Sequence, residues 1–129
     1  MSQFINDTAV WRYNDCEFTL DLSDTDTIAL YEKSFKQMQE DVKKMPKEGT
    51  KSEIVRAYCQ VLRDVFDRMI GDGTSDKLFG NRYNALEITT CYENFLEFVD
   101  GQNKAIGDLV NRMTTRYSPN RAQRRHPGN

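Results

Sequence analysis

Residues 85–115, ALEITTCYENFLEFVDGQNKAIGDLVNRMTT, decide the fold. Ile88, Tyr92, Phe95, Val99, Gln102, Ile106, Leu109 and Met113 follow one another at alternating steps of four and three. That spacing keeps them all on one stripe of a helix. The stripe is sustained over roughly four heptads, on the order of 40 Å if unbroken. A globule of this size rarely needs so long a helix, so its far half is expected to project beyond the core and invite a partner helix. Gly101 and Gly107 each weaken it by roughly 1 kcal/mol relative to alanine. The pattern allows either one continuous helix or a kink near DGQN (residues 100–103). Gln102, a polar residue within the seam, suits the fixing of register in an oligomer.

Upstream, Ile54, Val55, Tyr58, Val61, Leu62, Val65, Phe66, Met69 and Ile70 form a broader stripe. A wide apolar face is buried on more than one side, so this is expected to be the central helix, starting near Thr50 or Ser52. Gly71 sits where it would end. An earlier helix starts at Ser23 or Asp24, with Asp26 adding negative charge to its first turn. Ile28, Tyr31, Phe35, Met38, Val42 and Met45 mark its apolar stripe, and KEGT after Pro46 stops it.

The runs TAVWRY (residues 8–13) and CEFTLDL (residues 16–22) are rich in aromatic and β-branched residues. Phe18, Leu20 and Leu22 alternate with polar neighbours, the period of a strand with one wet face. Asn14-Asp15 between the runs suits a tight turn. A β-hairpin is expected over about residues 7–22, and it needs a helix, or another copy of itself, to cover its apolar side. The fold class is therefore mainly α (α+β): an N-terminal β-hairpin, three principal helices with the last one long, and a disordered basic C-terminal tail. Residues 1–117 form one helical domain in this reading, and residues 118–129 a flexible tail.

Length and charge agree. A chain of 129 residues that is 38% hydrophobic is one domain of ordinary size. Its net charge of −2 hides an asymmetry. Five of the 18 basic residues lie from Leu109 onward with no acid among them, leaving 13 to face all 20 acids in the body. The body is about −7 and the end +5. No general attraction to nucleic acid or membrane follows from such a balance.

Chemistry is sparsely provided. Cys16, Cys59 and Cys91 are odd in number and far apart, as expected of reduced thiols rather than a disulfide framework. The N-terminus lacks a basic stretch followed by an apolar run, and no segment approaches the roughly 20 apolar residues of a membrane span. A soluble, intracellular protein is expected. The lone histidine, His126, lies in the tail, where no general base is held in place. No catalytic, cofactor or metal residue is assigned. Asp21, Asp24 and Asp26 imitate a calcium loop but lack its glycine, and a capped helix start explains them. GDGTSDKLFGN (residues 71–81) lacks the ending of a phosphate loop. It reads as a structured loop with one helical turn from Ser75 to Phe79. Leu78 and Phe79 there either plug the core or are displayed to a partner.

Three stretches carry a family resemblance: FTLDLSDTDTIALYEKS, DVFDRMIGDGTSDKLFGN and RYSPNRAQRR. Across roughly residues 10–125 the chain resembles tail assembly chaperone-like proteins from the tail-gene region of phages and prophages of Gram-positive bacteria. The resemblance implies a non-enzymatic helper that coats the long apolar tape-measure protein until the tail tube protein polymerises around it. It further implies action in the bacterial host cytoplasm, absence from the finished virion, and a product that ribosomal frameshifting can extend; a homo-oligomer is expected separately, from the seam that outlasts the domain. Partner contacts are then expected at Leu78, Phe79, Ile106, Leu109 and Met113, with Arg121, Arg124 and Arg125 recruiting another tail component. From a different class, the same arginines could serve a small nucleic-acid-binding or regulatory protein by neutralising phosphates.

Overall fold

A computed structural model describes residues 9–116. The tail at 118–129 and the first residues of the expected hairpin lie outside them. Two strands, β1 (Val10–Tyr13) and β2 (Cys16–Thr19), pair antiparallel with Trp11 opposite Phe18 and Tyr13 opposite Cys16. The Asn14-Asp15 turn joins them, with Asn14 at φ 54°, a conformation asparagine tolerates better than most residues. Four helices follow: α1 (Thr25–Lys43), α2 (Lys51–Met69), the short α3 (Thr74–Phe79) and α4 (Ala85–Arg116). A mainly helical chain with an N-terminal hairpin and a long last helix is thus what forms.

Three of the four helix starts are capped by side chains. Asp24 caps α1 by accepting from the Thr27 amide at 3.1 Å, while Asp21 holds Ser23 just before it. The tempting acids are therefore occupied in opening a helix. Thr50 and Glu53 form a reciprocal capping box on α2. Asn84 accepts from the Glu87 amide at 2.9 Å and opens α4.

The core forms where the hairpin lies against α2 and α4. Trp11 stacks on Phe66 at 5.8 Å between ring centroids and meets Phe95 edge-on at 5.0 Å. Its indole N–H donates to Asn94 Oδ1 at 2.9 Å, so the buried ring leaves no polar group stranded. Phe18, Leu20 and Leu22 all point inward, as their alternation requires. Cys59, Val65, Phe66, Phe79, Ile88, Cys91, Phe95 and Val99 belong to the same cluster. Burying each large side chain contributes roughly 1.5–3 kcal/mol. Helix α2 packs against α1, α3 and α4, the central position its broad stripe implied.

Helix α1 corrects one expectation. Its best-buried residue is Ser34, at 1% exposure, whereas Phe35 and Val42 of the apolar stripe are 41% and 51% exposed. The covered row is Tyr31, Ser34, Met38, Asp41 and Met45, so the inward face is turned slightly away from the apolar stripe. Tyr31 and Met38 still reach the core from the flank because their side chains are long.

Candidate functional site

Helix α4 has two unlike halves. From Ile88 to Val99 its stripe is core: Ile88, Cys91, Phe95 and Val99 are essentially inaccessible. Gln102 closes this half. Its side-chain oxygen accepts from the Leu22 amide at 2.7 Å, and its Nε2 donates to the Leu20 carbonyl at 2.6 Å. The Leu20 amide still donates to the Ala9 carbonyl at 2.7 Å, and past that point the glutamine takes up the backbone groups on either side of Asp21. Register is fixed, but within this chain: the expectation that Gln102 serves an oligomer is replaced by an internal role.

Beyond Gln102 the same stripe continues without cover from the described residues. Ile106 still touches the edge of the core. Leu109, Val110 and Met113 are 53%, 55% and 45% exposed. Because 88, 92, 95, 99, 102, 106, 109 and 113 keep their steps of three and four, the exposed residues lie on the face that is core one half-helix earlier. The helix is assigned without interruption through Gly101 and Gly107, so no break rotates one half against the other. A Cβ at either glycine would meet nothing within 4 Å. Arg112 and Arg116 follow Leu109 by three and seven residues, which sets both on the Leu109 edge of the stripe. Residues on the opposite edge, Asn103 and Thr114, carry no charge.

The loop between α2 and α4 is built for rigidity instead. The Arg63 guanidinium, almost fully buried on α2, donates to Asp76 Oδ1 at 2.7 Å and to the carbonyls of Gly80 and Arg82, each at 3.0 Å. It also lies over the Tyr83 ring at 4.7 Å. Asp67 accepts from the amide and hydroxyl of Ser75. Gly73 at φ 88° and Gly80 at φ 58° make the two sharp corners, where a side chain would be strained. Arg82 donates to Glu87 and holds that carboxyl below the usual range, tying the loop to the first turn of α4. Leu78 and Phe79 are consequently driven into the core, at 5% and 0% exposure. Their display to a partner is corrected: α3 points them inward, and nothing of them remains to be offered.

Reactive groups are scarce on this surface. Burial pushes the Cys91 thiol up to about 12 and raises Cys59 as well, so neither presents a thiolate near neutrality. Among the described residues no cluster of three His, Cys, Asp or Glu side chains could hold a metal ion, and no helix is long and apolar enough to cross a membrane. What the surface offers is an apolar helical face with one basic edge.

The description "family of unknown function", DUF6673, belongs to a family model that matches residues 14–128. The chain is a member of DUF6673. The match runs from the hairpin turn through all four helices and into the basic tail. No curated protein and no solved structure matches the chain.

Of the expected partner-binding residues, then, Leu109 and Met113 stand exposed on one face, Ile106 bridges that face and the core, and Leu78 and Phe79 are interior. Arg121, Arg124 and Arg125 lie outside the described residues. Val110 was missed because it is off the strict four-and-three count, although it immediately follows Leu109 on the same apolar face. Arg63 was missed too. Its position inside the α2 stripe, between Leu62 and Val65, was the signal that this arginine would be buried and multiply bonded.

Proposed function

We propose that this protein is a non-enzymatic phage tail assembly chaperone that holds the apolar helical tape-measure protein soluble in the bacterial host cytoplasm. The reading rests on the resemblance of the quoted stretches and on one structural observation: the core stripe of α4 continues, uncovered, through Leu109, Val110 and Met113. A helix laid along that face would bury those side chains in the same manner in which Phe95 and Val99 are buried by the chain itself. In this reading the tail arginines Arg121, Arg124 and Arg125 recruit tail tube subunits, and the chaperone leaves before the virion is complete.

Co-expression with the large neighbouring reading frame tests the proposal. The intact chain is expected to keep the tape-measure-like product in the soluble fraction and to co-purify with it after nuclease treatment. Leu109→Glu combined with Met113→Glu is expected to lose both effects while keeping its circular dichroism and thermal midpoint, because exposed sites contribute little to stability. Equal performance by the double variant, or no change in the product's solubility with the intact chain, overturns the reading.

A further inference from the structure

The partner's own chemistry can be taken one step further. This step rests on the reading that the outer half of α4 binds another protein's helix. We infer that the segment it accepts is an amphipathic helix whose apolar stripe is bordered, along one edge, by aspartate and glutamate.

The argument is one of charge at the border of the exposed stripe. Between Asn103 and the end of α4 the charged residues are Lys104, Asp108, Arg112 and Arg116, a net of +2. Helical spacing sets positions 112 and 116 on the Leu109 edge of the stripe, at the border of a docked helix. Lys104 and Asp108 precede Arg112 by eight and four residues on the same row, which drifts toward the back of the helix, so Asp108 is the single acid near that edge. Arg112 is exposed and takes part in none of the ion pairs among the described residues. Chain beyond the helix adds Arg121, Arg124 and Arg125 and no acid. An arginine fork pairs well with a carboxylate at the rim of an apolar contact. A lysine-bordered helix would meet like charge there and be disfavoured. A second copy of this chain would bring another net-positive segment to the same contact, which favours a foreign helix over self-pairing. A nucleic acid could use the arginines but would leave Leu109, Val110 and Met113 uncovered.

Two designed helical peptides of about three heptads, with leucine at the seam, distinguish the cases. One carries glutamate along the borders and the other lysine. Binding to the full chain is read by fluorescence anisotropy at low and high salt. The glutamate peptide is expected to bind at least ~10-fold more tightly at low salt, with the gap narrowing as salt rises. Arg112→Glu with Arg116→Glu is expected to reverse the preference, and Leu109→Glu to weaken both peptides. Equal binding, no binding of either peptide, a preference that survives in the arginine variant, or a dimer of the intact chain that Leu109→Glu dissociates would each overturn the inference. The outcomes separate from those of the chaperone test. Solubilised tape-measure product with no peptide preference removes only the acidic border. A clear preference with no effect on that product removes the chaperone and leaves the surface.

Discussion

Gln102 shows what one side chain can settle. A glutamine at a seam position can bond across to another chain or back to its own, and the spacing of its neighbours is the same in both cases. The answer depends on where the hairpin's exit strand stops, which is tertiary information. Here the Leu22 amide and the Leu20 carbonyl lie within hydrogen-bond reach, and the side chain takes both. Replacing Gln102 by leucine keeps the volume and strands those two backbone groups in a dry setting. The expected loss is about 2–3 kcal/mol in urea denaturation, with helix content unchanged by circular dichroism. At this scale the hairpin alternation was legible from residue types alone, since a period of two admits one inward face. The direction of Leu78 and Phe79 was not. It depends on Arg63 and Asp67 of a different helix, which hold the loop in place.

At the scale of the element, α4 is the plainest case. Its span and its stripe could both be read from the four-and-three spacing, and its continuity through the glycines is a property of the folded helix. With no atom near a Cβ at Gly101 or Gly107, alanine fits both sites without a clash. Gly101→Ala, next to the packed Val99 and Gln102, is expected to raise global stability by about 1 kcal/mol. Gly107→Ala sits beyond the core. It should leave the melting temperature nearly unchanged, yet slow amide hydrogen exchange over residues 108–116. A shared rise in melting temperature would show that the outer half is bound into the cooperative unit. Helix α1 marks the limit of reading by periodicity. The apolar stripe identified the right side of the helix approximately, but the covered row runs through Ser34 instead of Phe35, a small rotation that residue types alone do not specify.

For the whole molecule, pH gives a view of the core. Cys91 is inaccessible and its thiol is pushed from 9.0 up to about 12, chiefly by burial. Burial also raises Tyr92 and Tyr31. A raised value in the folded state means that the fold keeps a proton which the unfolded chain has already released. Unfolding then releases protons, so this contribution is fully present below about pH 9 and is lost as pH climbs toward 12. Melts taken from pH 7 to pH 11 are expected to hold level at first and then fall. Cys91→Ala should start lower because of the small cavity but decline less steeply. A wild-type curve that stays flat through pH 11 would mean that the thiol is solvated.

One helix here has a constrained half and an unconstrained one. Substitutions in its first half are judged by whether the domain still closes, because Phe95, Val99 and Gln102 are wedged among their own neighbours. Past Ile106 that judgement lapses. The last turns can drift in sequence at almost no risk to the body that carries them, so if a partner docks there as proposed, its demands can be met without the fold being renegotiated.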